Sequence, residues 1–418
     1  MKKIVMLLSF TFLVNLVFAQ GIIQDKIYKK NIKTAILHKA GDEISFPVIG
    51  LKSSNKLILS FDDLDADVKS YSYTISYCNS DWTVSDLHQS EYIDGYFENQ
   101  MDEYQSSFNT TVNYTHYTLS FPNENIKPKL SGNYILKVFE NNDTSQKVIT
   151  KRFMVVEQMV LIESSVRNTG QSGYFYNDQE LEIKLDFSGT ELYNPGSNTK
   201  LVILKNYNWE ENIVVLKPDM IRENEIIYDN YNILKFNGGN EFHYFNTKSI
   251  EYNVENIQSI DFIDNMYHFL LAPNTDRTFK DYIYEPEING RFKIDISGRT
   301  DPTTEADYAY VYFTLKMDVP LQTGDIFVWG ALTNYEFSNE SKMVYSFEEK
   351  AYECRLFLKQ GYYNYQYVLV DKGKPDYTYI EGNHAQTEND YIILVYYHDF
   401  RGNCDRLMGV NEINSVIK

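Results

Sequence analysis

The chain has 418 residues, with 39 Lys and Arg against 58 Asp and Glu and a formal charge of −19 at pH 7. So acidic a balance is repelled by phosphate backbones and anionic headgroups, which argues against nucleic-acid and membrane-surface roles. Three scattered cysteines, Cys78, Cys354 and Cys404, with no CxxC pair, do not make a disulfide framework and read as small buried residues.

Lys2 and Lys3 precede an apolar run from Ile4 to Phe18, broken only by Ser9, Thr11 and Asn15, and small Ala19 closes it before Gln20. That three-part layout predicts a cleaved secretory signal peptide over residues 1–19. The run is short for a retained span of about 20 residues. No cysteine follows the cleavage point, so no lipid anchor is expected there. The longest later apolar run, YIILVYY at 391–397, is strand-sized.

The rest of the chain reads as β. It holds 36 Tyr and 25 Phe against 10 Pro, and period-two stretches recur along it. KLILSF puts Leu57, Leu59 and Phe61 on one face, YSYTISY does the same for Tyr71, Tyr73, Ile75 and Tyr77, and LEIKLDF for Leu181, Ile183, Leu185 and Phe187. Turn-rich segments at 121–125, 141–145 and 194–198 separate such strands; only 251–265 suggests a turn of helix. KRFMVVEQ at 151–158 reads as a last strand, MVLIESS at 159–165 as a new first strand, and RTDPTTEAD at 299–307 as a polar linker. The expected architecture is all-β: three tandem antiparallel β-sandwich, immunoglobulin-like domains over 20–158, 159–304 and 305–418.

No GxSxG, HExxH, GxxxxGK[ST] or GxGxxG motif occurs, so the sequence offers neither a catalytic signature nor a cofactor site. The seven histidines, at 38, 88, 116, 243, 268, 384 and 398, include no pair at metal-ligand spacing. In DDLDAD at 62–67, Asp63, Asp65 and Asp67 have the alternate spacing of a calcium loop. Val68 stands where that loop needs glycine and Thr74 where it needs a bidentate carboxylate, so a solvated turn is expected. The stretch YSYTISYCNSDW at 71–82 raises the question of a nucleophile. Asp81 near Cys78 disfavours a thiolate, while Asn79, Ser80 and Asp81 suit a turn with Trp82 folding back, so a structural corner with an inert thiol is expected.

LSFDDLDADVKSYSYTISYCNSDW at 59–82 leads a series of familiar strings: EYIDGYFEN at 91–99, SSFNTTVNYTHYTLSFPNENIKPKLSGNYILKVFE at 106–140, GGNEFHYFNTK at 238–248 and EINGRF at 287–292. ADYAYVYFTL at 306–315, LKQGYYNYQYVLVD at 358–371 and EGNHAQTENDYIILVYYHDFRGNCDRLMG at 381–409 continue it. Over essentially the whole mature chain the sequence resembles the plug-protein family of the type IX secretion system. The resemblance implies a periplasmic, non-enzymatic protein without catalytic residues, whose partner is a very large outer-membrane β-barrel translocon and which closes its periplasmic opening when no cargo passes. In the family pattern a histidine often precedes the cysteine, where this chain has Tyr77, and an arginine often stands at the position of His243.

Residues 311–371 are also similar to starch- and glycogen-binding β-sandwich modules, which stack sugars on exposed aromatic rings. Trp329 lies within the strand before Gly330, where alternation buries it, and the loop offers Tyr335 and Phe337 instead. A carbohydrate-binding protein acting through this domain is therefore the alternative reading. For the partner interface, EYIDGYFEN and GGNEFHYFN are glycine-bearing and too aromatic for ordinary solvated turns. They nominate Tyr92, Tyr96, Phe97, Phe242, His243, Tyr244 and Phe245, with packing of these rings between domains as the competing expectation.

Overall fold

The alternations of KLILSF and YSYTISY become two facing strands. Leu57–Asp63 and Tyr71–Cys78 turn Leu57, Leu59 and Phe61, and Tyr71, Tyr73, Ile75 and Tyr77, into one shared core. The computed structural model describes residues 22–168, 177–190 and 192–416; the expected signal peptide lies outside the described residues. The fold is all-β, with strands gathered into seven sheets among the described residues and only a few single turns of helix. Pairing is antiparallel except at a few contacts, such as Met266–Leu271 beside Tyr308–Lys316.

Four of the larger sheets are stacked in sequence. The first contains Ile32–Lys39, Leu57–Asp63, Thr115–Phe121 and Glu103–Ser106; the second contains Lys147–Val156, Gly132–Glu140 and Tyr71–Cys78. The third runs Asn208–Val215, Thr199–Lys205, Asp390–Asp399, Cys404–Asn414, and the fourth is built on Leu161–Asn168 and Asp178–Asp186. Three cores fill the gaps. The first two sheets enclose the Tyr71 to Tyr77 core. Ile135, Met154 and Cys78 of the second sheet meet Val202, Leu204, Ile392 and Leu394 of the third. Leu201, Ile203, Ile393 and Val395 of the third meet Leu181, Ile183 and Leu185 of the fourth. The third sheet is thus buried on both faces, which is why YIILVYY carries no polar alternation.

A further sandwich stands beside this stack. Gly361–Asp371 pairs with His243–Asn246, Phe292–Ile294 and Asp325–Trp329, and faces a sheet that includes Tyr308–Lys316 and Ala351–Lys359. Phe245, Phe313, Tyr363 and Tyr365 fill its interior.

Strand pairing corrects the expected boundary at 304. Tyr391–Tyr397 pairs with Thr199–Lys205, so the carboxy-terminal hairpin belongs to the middle sheets, while His243–Asn246 and Phe292–Ile294 belong to the later sandwich. Nor is 299–307 a free linker. Asp301 caps a single turn, Pro302–Glu305, and Asp307, buried, accepts the Thr111 and Val112 amides of the first sandwich at 2.7 and 3.1 Å. The helical suggestion at 251–265 is also wrong: Ile257–Ile263 is a strand in a hairpin with Met266–Leu271, since cross-strand pairing overrides weak local preference.

Candidate partner interface

Among the seven nominated residues, Tyr96 and Phe97 are open to solvent, at 69% and 39% exposure. They cap the turn between strands Ile93–Gly95 and Asn99–Met101. The backbone of that turn is fixed. The Tyr96 N–H donates to Asn125 O at 2.8 Å, Asn99 Nδ2 donates to Tyr96 O at 3.1 Å, and the Thr74 hydroxyl donates to Phe97 O. Gly95 sits at φ +111°, and a Cβ there would lie 2.2 Å from Asn125 O, so glycine is required for the close approach. A rigid backbone therefore presents two rings outward. Tyr92, at the end of the short helix Gln89–Tyr92, is instead buried against Tyr77 and Tyr134 at ring distances of 5.8 and 6.2 Å.

The second nominated loop is not a loop at the surface. His243–Asn246 is a strand paired with Tyr362–Tyr365. Phe245 stacks on Tyr363 at 5.2 Å inside the core, Phe242 is buried with Trp329 and Val368, and Tyr244 lies tilted against Tyr362 at 5.8 Å. Phe242 and Phe245 cannot reach a partner. His243 Nε2 lies 3.2 Å from Glu381 Oε2 and its Nδ1 3.2 Å from Asn274 Nδ2, which fits a neutral ring donating from Nε2 and accepting at Nδ1. Burial first, then Arg277, lowers its pKa, so this is a packing histidine. Sequence reasoning took aromatic density for exposure.

The remaining candidates resolve into structure. In DDLDAD the first two carboxylates are buried rather than solvated, contrary to expectation. Asp62 Oδ2 accepts Lys359 Nζ and the Tyr308 hydroxyl, each at 2.7 Å, and Asp63 Oδ2 accepts the Tyr71 hydroxyl at 2.9 Å. Lys69 Nζ sits among Asp63, Asp65 and Asp67, supplying the positive charge at their centre. Cys78 is buried and burial pushes its thiol up to about 12, with Asp81 adding to the shift against Lys137 and Arg152. Trp82 folds back at φ 66° edge-on to Trp209, at 4.9 Å, beneath the Arg152 guanidinium. The corner also docks on the carboxy-terminal hairpin: the Ser80 amide and hydroxyl donate to Asp405 Oδ2 at 3.0 and 2.6 Å. In the starch-module-like segment, Tyr335 meets buried Trp329 at 5.0 Å and Phe337 stacks on it at 6.5 Å, so neither loop ring is a free platform.

The family profile described as the type 9 secretion system plug protein first domain matches residues 32–157, the segment that builds the first two sheets. A crystal structure of a hypothetical protein from Parabacteroides merdae is 34% identical and superposes with a TM-score of 0.91, over 94% of this chain and 100% of that one. The chain belongs to the type IX secretion system plug protein family. No curated protein matches. That family is not a known enzyme family.

In this plug-family chain, two of the strings that carried the resemblance, 238–248 and 381–409, build buried polar networks. Glu381 of EGNHAQTEND accepts the Tyr367 amide at 2.7 Å and Arg277 Nε at 2.8 Å. Asn389 donates to Gln179 Oε1 at 3.0 Å and Gly238 O at 2.8 Å, and Gln179 also accepts the Tyr391 hydroxyl at 2.6 Å. These bonds tie the loops at 238–246 and 381–390 to each other, although Glu241 Oε2 and His384 Nε2 within them are buried without a hydrogen-bond partner.

Proposed function

We propose that this protein is a non-enzymatic gating subunit that binds the periplasmic opening of the type IX secretion outer-membrane translocon and seals it when no cargo is passing. Family membership carries the reading. On this reading the protein works in the periplasm, and the apolar leader over residues 1–19 is the cleaved signal peptide that takes it there. A seal needs a body that does not deform and contact groups that combine apolar area with a hydrogen-bonding tip. The stacked sheets supply the first; on the pinned 96–97 turn Tyr96 supplies the second and Phe97 adds apolar area, at a small cost in rotamer entropy. The carbohydrate reading finds no open ring at Tyr335 or Phe337.

Affinity purification of the tagged mature protein from envelopes, with mass spectrometry of what survives a salt wash, tests the proposal. A large outer-membrane barrel in stoichiometric amount is expected. Recovery of the protein alone, under conditions that preserve other envelope complexes, refutes it. Replacing Tyr96 and Phe97 together by serine is expected to abolish co-purification with the melting temperature unchanged; a large loss of stability would instead make them packing residues.

A further inference from the structure

Residues 276–288, DRTFKDYIYEPEI, form an irregular strap across the later sandwich. Arg277, Tyr282 and the Ile288 amide bond inward, while Lys280, Asp281 and Glu285 are exposed. Arg277 donates from Nε to Glu381 Oε2 and from Nη2 to Glu241 O, each at 2.8 Å; the Tyr282 hydroxyl donates to Glu241; and the Ile288 amide donates to Asn364 Oδ1 at 2.6 Å. Its apolar groups point outward: Phe279 is 98% exposed and Ile283 69%. Large apolar side chains standing this open, while Arg277 and Tyr282 of the same segment turn in, depart from the usual arrangement of a surface loop. Tyr284 and Tyr379 are also exposed, and the Thr278 hydroxyl donates to Tyr379 O, which brings residue 379 beside the strap.

We propose that this strap is a docking surface for a protein partner that offers apolar pockets bordered by lysine and arginine. The proposal rests on the gating reading and assigns the strap to the translocon complex. Charge selects the partner. On the exposed side of the strap Asp281 and Glu285 stand against Lys280; Arg277 is already paired with Glu381, and burial pushes the Glu287 carboxyl up to about 8, so neither adds free charge. Acidic borders disfavour an anionic lipid surface, and a second copy of a chain with charge −19 would present like charge. Exposed aromatic and aliphatic side chains inside a charged rim are the arrangement of an interface centre.

The test is barrel retention by the tagged full-length chain, its Phe279→Ser/Ile283→Ser variant and its Asp281→Lys/Glu285→Lys variant, with melting temperatures recorded for each. Both variants are expected to retain at least tenfold less barrel at unchanged melting temperature, the charge variant most clearly at low salt. Equal retention by wild type and both variants overturns the strap assignment while the gating reading stands. Loss by the serine variant alone overturns the charge argument for the partner. A wild-type chain that retains no barrel overturns both the gating reading and the strap assignment. A large fall in melting temperature on replacing Phe279 and Ile283 makes the strap a packing element and overturns its assignment.

Discussion

Replacing Glu381 by glutamine keeps the side chain's shape and removes its charge from a fully enclosed site. Burial alone would raise the pKa of this carboxyl; Arg277, then His243, outweigh burial and hold it at about 2, against an ordinary 4.5. At about 1.4 kcal/mol per pH unit, the ionised form contributes roughly 3 kcal/mol to the folded state. Because the folded pKa lies below the unfolded one, that contribution is complete above about pH 4.5 and is lost as pH falls toward 2. The glutamine amide would also turn a donor toward either the Tyr367 N–H or the Arg277 guanidinium, which both donate here. Breaking one side of a buried pair costs about 3–5 kcal/mol. For a cooperative unit of 150–250 residues, 3 kcal/mol corresponds to a fall of roughly 6–12 °C in melting temperature. Thermal unfolding followed by circular dichroism at pH 7 and pH 3 reads both effects: a large gap between wild type and variant at pH 7, shrinking to less than half at pH 3. A gap below about 2 °C at pH 7, or one that does not change with pH, would refute the account of this network.

Three other substitutions or treatments probe the architecture. Lys359→Met leaves Asp62 buried with only His116 and Tyr308 as partners, and is expected to cost about 3–5 kcal/mol in urea unfolding; adding Asp62→Asn should recover most of it, and strict additivity of the two would refute direct coupling. Cys78, Cys354 and Cys404 are all free and buried, and burial raises the pKa of each thiol, so iodoacetamide at pH 7 is expected to leave the native protein unlabelled and to modify all three in urea. Gly95→Ala forces a Cβ against Asn125 O at a left-handed φ and is expected to cost about 1–3 kcal/mol, read from the urea midpoint; a neutral result would show that the 93–97 backbone is not pinned.

Much of the local structure was legible from residue order alone. A strand with one buried face announces itself by period two, and Leu57 to Phe61, Tyr71 to Tyr77 and Leu181 to Phe187 all sit where alternation put them. Trp82 and Cys78 at the corner were read correctly because turn residues and an adjacent carboxylate leave a local record. Burial of the 242–245 rings was misjudged because glycine-rich aromatic sequence looks the same whether its rings face a partner or a neighbouring strand. The Asp62 side chain was misjudged for a related reason: its countercharge, Lys359, lies 297 residues away, and nothing near Asp62 in sequence foretells it. The exposed Phe279 escaped notice because a single outward ring in an irregular segment has no periodicity to reveal it.

The division of the chain at residue 304 failed for a reason that bears on function. Tyr391–Tyr397 reads as one continuous apolar run, and such a run belongs to a strand covered on both faces. Here Tyr391, Ile393 and Val395 enter one core while Ile392, Leu394 and Tyr396 enter the next. The last strands of the chain are therefore wedged between sheets built from its beginning and its middle. Parting the stack at the Ile392 face would expose at least Ile135, Met154, Val202, Leu204, Leu394 and Leu407 as well. At about 1.5–3 kcal/mol for each large apolar side chain, that is roughly 10 kcal/mol or more, comparable to the whole stability of an ordinary domain. The layers accordingly move as one body. If the proposed gating role holds, capture and release by a partner act on surface elements such as the 96–97 turn and the 276–288 strap, because the stack itself has no low-energy way to open.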